Sequence, residues 1–160
     1  MQQSGFNWTV LRLPMVYGPG DQQHRFRWAV RPMLRRRTEL VLPRLWAEWQ
    51  TTYGYVDNVG AAVGAVVGRP EAHQQIYNVA EATTTSQLSW ARKFAEVLPW
   101  EGEIVVSDDP AHPMLSSLAH LDLSVPFKVS GQRFRQVFGD TEVVDPAVSL
   151  ALTAAEEAAV

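Results

Sequence analysis

Apolar positions change their spacing several times along this chain, and each change marks an element. Trp8 to Val16 (WTVLRLPMV) is a nearly unbroken apolar run, rich in β-branched and aromatic residues. That pattern predicts a strand buried on both faces. Gly18-Pro19-Gly20-Asp21 closes it with a strong turn signal. From Arg25 to Arg37 the period becomes helical. Phe26, Val30, Met33 and Leu34 form an apolar stripe, and Arg27, Arg31 and Arg35 recur at every fourth position as a basic one. Glu39 to Leu42 reads as a short strand closed by Pro43, and Arg44 to Thr52 as a Trp-rich irregular segment. Tyr53 to Val56 leads into a helix over about 57–67, with Asp57 as its N-cap. Val59, Ala62, Val63, Val66 and Val67 make one face of that helix. Gly60, Gly64 and Gly68 leave another face bare, which predicts close approach of a neighbouring backbone.

Gln75 to Ala80 (QIYNVA) is the next strand. The cluster Thr83 to Ser86 caps a helix to about Leu98, with Leu88, Ala91, Phe94, Ala95 and Leu98 inward. Glu103 to Val106 is a further short strand and Asp108 to Pro113 a loop, while Met114 to Val129 fits no single period. Ser130 caps a short helix ended by Gly139, and Asp145-Pro146 opens a last helix with proline at its first position. Strands alternating with helices predict an α/β fold, a sheet with helical crossovers. Only about two strands are long enough to be central, which is thin for a parallel sheet.

Composition narrows the class. The chain has 160 residues, enough for one ordinary domain, and a net charge of -3. That charge exerts no general attraction on nucleic acid or anionic membrane, so neither is an expected partner. Cysteine is absent, which removes disulfides and thiolate chemistry and is compatible with a cytoplasmic location. The stretch Met1 to Asn7 is polar, without the basic start and apolar core of a signal peptide. The longest run lacking strongly polar residues, Val59 to Gly68, falls far short of the ~20 residues of a membrane helix. His73, His112 and His120 have no metal-ligand spacing, and no metal site is expected.

Four stretches carry a family resemblance. They are Leu11 to Asp21 (LRLPMVYGPGD), Tyr55 to Ala62 (YVDNVGAA), Ile76 to Glu81 (IYNVAE) and Arg133 to Gly139, with Ser130 ahead of the last in the capping place. In this order and spacing the chain resembles the C-terminal half of an NAD(P)-dependent epimerase/dehydratase of the extended short-chain dehydrogenase/reductase family. The resemblance implies the C-terminal portion of a Rossmann-type fold: the last sheet strands plus a small α/β substrate-binding lobe. It implies a single incomplete domain, with 1–23 as a late Rossmann strand and loop. Residues 24–160 would form the substrate-binding lobe, from which a strand near 75–80 returns to the sheet. NAD or NADP is the implied cofactor.

The family's glycine-rich phosphate turn, G-x-x-G-x-x-G, does not occur in these residues. Its Y-x-x-x-K proton relay is also missing, since the only lysines, Lys93 and Lys128, follow Ser89 and Ser124 at that spacing. No catalytic residue is therefore expected here. By resemblance, the backbone at Leu13 and Pro14 touches the nicotinamide. Sugar-nucleotide members often carry Asn at the position of Met15 and Arg at the position of Thr51. The departures here favour a less polar ligand at Met15 and around it.

The residues themselves add candidates. His24 and Arg25, followed by Arg27 and Arg31, would line a substrate pocket with positive charge or form a solvated helix face. Trp49 and Tyr53, with Trp46 and Tyr55, would line an apolar cleft or pack as core. The expected function is the substrate-binding half of an epimerase/dehydratase or reductase acting on a sugar-like or other hydroxyl or carbonyl compound, inactive alone. One form of this reading makes Met1 an internal methionine of a longer coding sequence. The alternatives are a non-catalytic small-molecule binding module and a subunit completed by a separate Rossmann-domain chain. The edge of strand 8–16 is expected to make the isolated chain marginally stable or self-associating.

Overall fold

The computed structural model describes residues 6–159; residues 1–5, which begin the segment 1–23 and most of the polar stretch Met1 to Asn7, and Val160 lie outside the described residues. The chain starts with β1 (Thr9–Arg12), β2 (Met15–Tyr17), α1 (Arg27–Leu34), β3 (Glu39–Pro43) and α2 (Arg44–Glu48). It continues through β4 (Gln50–Thr51), β5 (Tyr53–Tyr55), α3 (Val56–Ala65), β6 (Gln75–Asn78), β7 (Thr85–Ser86) and α4 (Gln87–Val97). It ends with β8 (Glu103–Ser107), α5 (Pro113–Ser117), α6 (Gln132–Phe138) and α7 (Pro146–Ala159). The strands form parallel pairs β1–β6, β2–β5 and β3–β8 and an antiparallel pair β4–β7. This is a mixed α/β architecture, as the alternating pattern predicts.

The long apolar run 8–16 is two strands, not one. β1 pairs with β6 through Arg12 opposite Asn78, and Val79 N–H donates to the Arg12 carbonyl at 2.9 Å. Alternate residues of a parallel strand bond to the same neighbour. Pro14 therefore stands where the next N–H to β6 would be, and it has none to give. Beyond it the chain changes partner, and Met15, Val16 and Tyr17 pair with Tyr53, Gly54 and Tyr55 of β5. Gly54 makes the exchange sterically possible: a Cβ there would sit 2.7 Å from Pro14 Cγ and 2.8 Å from Val59 Cγ2. The expected burial on both faces is not found, since β1 is half-buried and Leu13 is 49% exposed.

Two cores hold the elements. The larger centres on Phe26, whose ring lies 4.7–5.2 Å from those of Tyr17, Tyr53, Trp90 and Phe94. Such aromatic pairs contribute about 0.5–1.5 kcal/mol each beyond area burial. The smaller joins Val59 and Ala62 of α3 to Tyr77, Val79 and Phe134. The inward faces of α1 and α4 match the apolar periods, except that Leu34 is 38% exposed.

Several local expectations need correction. Residues 44–48 are helical, because Arg, Leu, Ala and Glu are good helix formers and five residues are too few to show a period. Asp57 is not the N-cap of α3; it lies in the first turn, where its charge meets the positive helix end. Val63 and Val67 of the apolar face are exposed. No atom lies within 4 Å of a Cβ built on Gly60, Gly64 or Gly68, so no backbone approaches that face among the described residues. Ser86 caps α4 as expected, accepting from Ser89 N–H at 3.2 Å. Asp145 caps α7 by accepting from Ala147 N–H at 2.8 Å.

Candidate functional site

The switch at Leu13–Pro14 places a bend at the C-terminal end of β1, where open α/β sheets receive ligands. Alternation along β1 aims the backbone groups of Leu11 and Leu13 away from β6, toward the open edge. Leu13 is exposed there and Pro14 half-buried, and Met15 lies half-buried opposite Tyr53.

The turn after β2 is held from within. Asp21 accepts from Gln23 N–H at 3.1 Å and Arg25 N–H at 2.9 Å, and its carboxylate is paired with the Arg25 guanidinium. Arg25 also donates to the Val16 carbonyl at 2.8 Å. Gly18 has φ +118° and a Cβ there would meet the Tyr55 ring at 2.7 Å, so glycine is required. This turn borders a cavity of about 310 Å³ that includes Tyr17, Asp21, Arg25 and Val56.

His24 and Arg27 are tied to the last helix. Glu157, with its side chain only 4% exposed, accepts from Arg27 Nε at 3.2 Å and lies 3.1 Å from His24 Nδ1. No sequence signal joins groups this far apart, whereas the Asp21–Arg25 pair is readable as an i, i+4 spacing.

Trp46, Trp49, Tyr53 and Tyr55 all lie in the core at 0–6% exposure. Burial pushes the Tyr53 phenol up to about 12, opposed by its bond to Gln87. Trp49 also borders a cavity, on the side of Leu45 and Leu123. The threonines 51 and 52 are buried beside it, with Thr52 Oγ1 2.8 Å from Thr84 Oγ1.

A second cleft, about 270 Å³, opens between Tyr17, Asn58, Glu81, Lys93 and Ser149. Glu81 accepts from Tyr55 N–H at 3.1 Å, and burial raises its carboxyl above the ordinary range. Burial, and then the Glu81 charge, raises the Tyr17 phenol further still. A cavity of about 530 Å³ at Arg36, Arg37 and Trp100 lies at the C-terminal end of α1, where the helix dipole itself favours cations.

No family model matches the sequence, and no curated protein does. Solved structures match its fold. RMD from Pseudomonas aeruginosa, complexed with NADPH, is 15% identical with a TM-score of 0.68, over 96% of this chain and 48% of its own. UDP-glucuronic acid 4-epimerase from Bacillus cereus, in complex with NAD, is 11% identical with a TM-score of 0.67, over 94% and 44%. UDP-glucose 4-epimerase from Thermotoga maritima, with UDP-glucose, is 19% identical with a TM-score of 0.66, over 95% and 46%. The chain spans less than half the length of each of these structures. Its mixed α/β fold matches about the C-terminal 45% of such Rossmann-type epimerase chains.

Proposed function

We propose that these residues are the substrate-binding half of an NAD(P)-dependent epimerase/dehydratase or reductase acting on a sugar-like or other hydroxyl or carbonyl compound. The observation that carries this reading is β1, which among the described residues is paired on one side only and ends at the exposed Leu13. A cofactor-binding half laid against the open edge would bring a nicotinamide to Leu13 and Pro14. Met15 and the turn carrying His24 and Arg25 would border the substrate, with Trp49 and Tyr53 stiffening the wall behind it. The dinucleotide would supply hydride transfer. The phosphate cradle and the activated tyrosine would come from the other half, because neither motif occurs in these residues. The proposed setting is the cytoplasm, in keeping with the absence of cysteine. Among the described residues, no helix is long and apolar enough to cross a membrane.

The test is reconstitution. The chain is mixed with a separately expressed Rossmann half carrying G-x-x-G-x-x-G and Y-x-x-x-K, and nicotinamide absorbance is followed with a panel of ketones and sugar nucleotides. Turnover by the mixture and none by the chain alone is expected. Turnover by the purified chain alone would refute the proposal.

A further inference from the structure

The turn after β2 contains a strained residue that is not glycine. His24 has φ +49°, in the left-handed region that side chains rarely adopt. Such a conformation persists only where the surrounding contacts hold it. The backbone is closed on both sides of it: His24 N–H donates to the Asp21 carbonyl at 3.0 Å, and the His24 carbonyl accepts from Arg27 N–H at 3.0 Å. Gln23 and Arg25, its neighbours in the chain, both line the cavity of about 310 Å³, while His24 does not. His24 is therefore a pivot, and fixing it fixes the lining on either side.

The hold comes from α7, whose polar residues point inward. Ser149, Thr153 and Glu157 are buried, whereas Val148 and Leu152 are exposed. Glu157 Oε1 lies 3.1 Å from His24 Nδ1, and Glu157 Oε2 accepts from Arg27 Nε at 3.2 Å. A buried carboxylate is tolerated where cations pair it. Here a single one joins the pivot to the first residue of α1. Arg27 Nη2 is buried without a partner, so that guanidinium has little to hold it once Glu157 is gone. Inside the turn, Asp21 and Arg25 close on each other, and Arg25 on the Val16 carbonyl. Glu156 adds a second contact from α7 by accepting from Gly20 N–H at 3.3 Å. Among the described residues, Glu157 is the one side chain bonded to the His24 imidazole.

We propose that Glu157 is a positioning residue. By pairing with His24 and Arg27 it keeps His24 left-handed, and it thereby sets the wall that Gln23 and Arg25 give to the cavity. That this wall faces a substrate rests on the function proposed above; the hold itself does not.

The test compares the full isotope-labelled chain with Glu157→Gln, which keeps the side chain's size but offers one carbonyl oxygen to two donors. Two NMR signals are read. The His24 amide–Hα cross-peak is strong only at positive φ, where the two protons are closest. Hydrogen exchange at the His24 and Arg25 amides, both bonded to Asp21, reports opening of the turn. In Glu157→Gln the cross-peak is expected to weaken. Exchange at both amides should accelerate about tenfold or more relative to Val79 N–H, which bonds to Arg12 in the β1–β6 pair. Glycine adopts the left-handed region without a hold, so in a His24→Gly background Glu157→Gln should barely change exchange at Arg25. Thr153→Val removes the bond to the Ser149 carbonyl within α7 but keeps Glu157, and should leave both signals as in wild type.

Unchanged signals in Glu157→Gln, an undiminished effect in the His24→Gly background, or equal changes in Thr153→Val would each overturn the proposal. Should Glu157→Gln unfold, recovery of a folded spectrum on adding His24→Gly supports the hold, and failure to recover overturns it. After reconstitution, Glu157→Gln is expected to raise KM more than it lowers kcat, because it displaces a wall and not a reacting group. The opposite split would overturn the positioning role. Absence of turnover in every reconstituted mixture, with the two signals behaving as expected, would sink the enzyme reading and leave the hold standing.

Discussion

Glu81 is a carboxyl whose ionisation the fold opposes. Burial is the main cause, with the nearby Glu142 charge adding to it and the Tyr17 hydroxyl, the Tyr55 N–H and Lys93 working against it. A carboxyl raised in the folded state binds its proton more tightly than in the unfolded chain. Stability is then undiminished below the ordinary value of 4.5 and falls as pH rises from there through the folded-state value. Glu81→Gln keeps an acceptor for Tyr55 N–H and removes the charge. Its melting temperature should exceed wild type near neutral pH, and the difference should shrink as pH falls through the raised folded-state value to 4.5, below which it stays constant. A pH-independent difference in calorimetry would assign the effect to packing instead. The motif IYNVAE placed Glu81 just after a strand, but nothing local announced that its carboxyl would be enclosed by Tyr17 and Tyr55.

At the scale of elements, local chemistry and long-range contact divide the work. α4 and α7 start where their capping residues dictate, because Ser86 and Asp145 bond to N–H groups within three residues. Ser86→Ala should cost about 1 kcal/mol in urea unfolding, the usual value of such a cap. A cost indistinguishable from zero would mean that packing of Trp90, Ala91 and Phe94 alone fixes that helix start. α3 begins without a side-chain cap, which is why Asp57 misled: the cap position falls two residues earlier, at Tyr55, where β5 and the packing of Val59 set the helix. The run 8–16 also misled, since its composition is continuous while its hydrogen-bond partner changes at Pro14. α7 is tied to the turn after β2 by Glu157, and Gly20 N–H donates to Glu156 Oε1 at 3.3 Å. That turn therefore depends on the far end of the chain for its shape.

For the whole molecule, the open edge of β1 dominates. Unpaired strand edges recruit other strands, and Leu13 and Ile76 expose apolar surface close to it. Self-association through this edge is expected for the isolated chain. Leu13→Lys should shift sedimentation toward monomer by placing a charge on the edge. An unchanged oligomer in analytical ultracentrifugation would show that association uses another face. The exposed glycine face of α3 is the opposite case. Its spacing predicted a close neighbour, and none is present among the described residues.

The residue pattern by itself determined the α/β class, most helix positions, the turn at Gly18–Asp21 and the absence of a phosphate cradle and proton relay. These depend on periodicity, on capping within a few residues, and on whether a motif is present at all. Only the tertiary structure decided that Pro14 hands the chain from β6 to β5, that Glu157 takes His24 and Arg27, and that Trp49 borders a cavity beside Leu45 and Leu123. Each joins groups far apart in the chain, and such contacts arise from packing and burial, which leave no periodic trace in sequence.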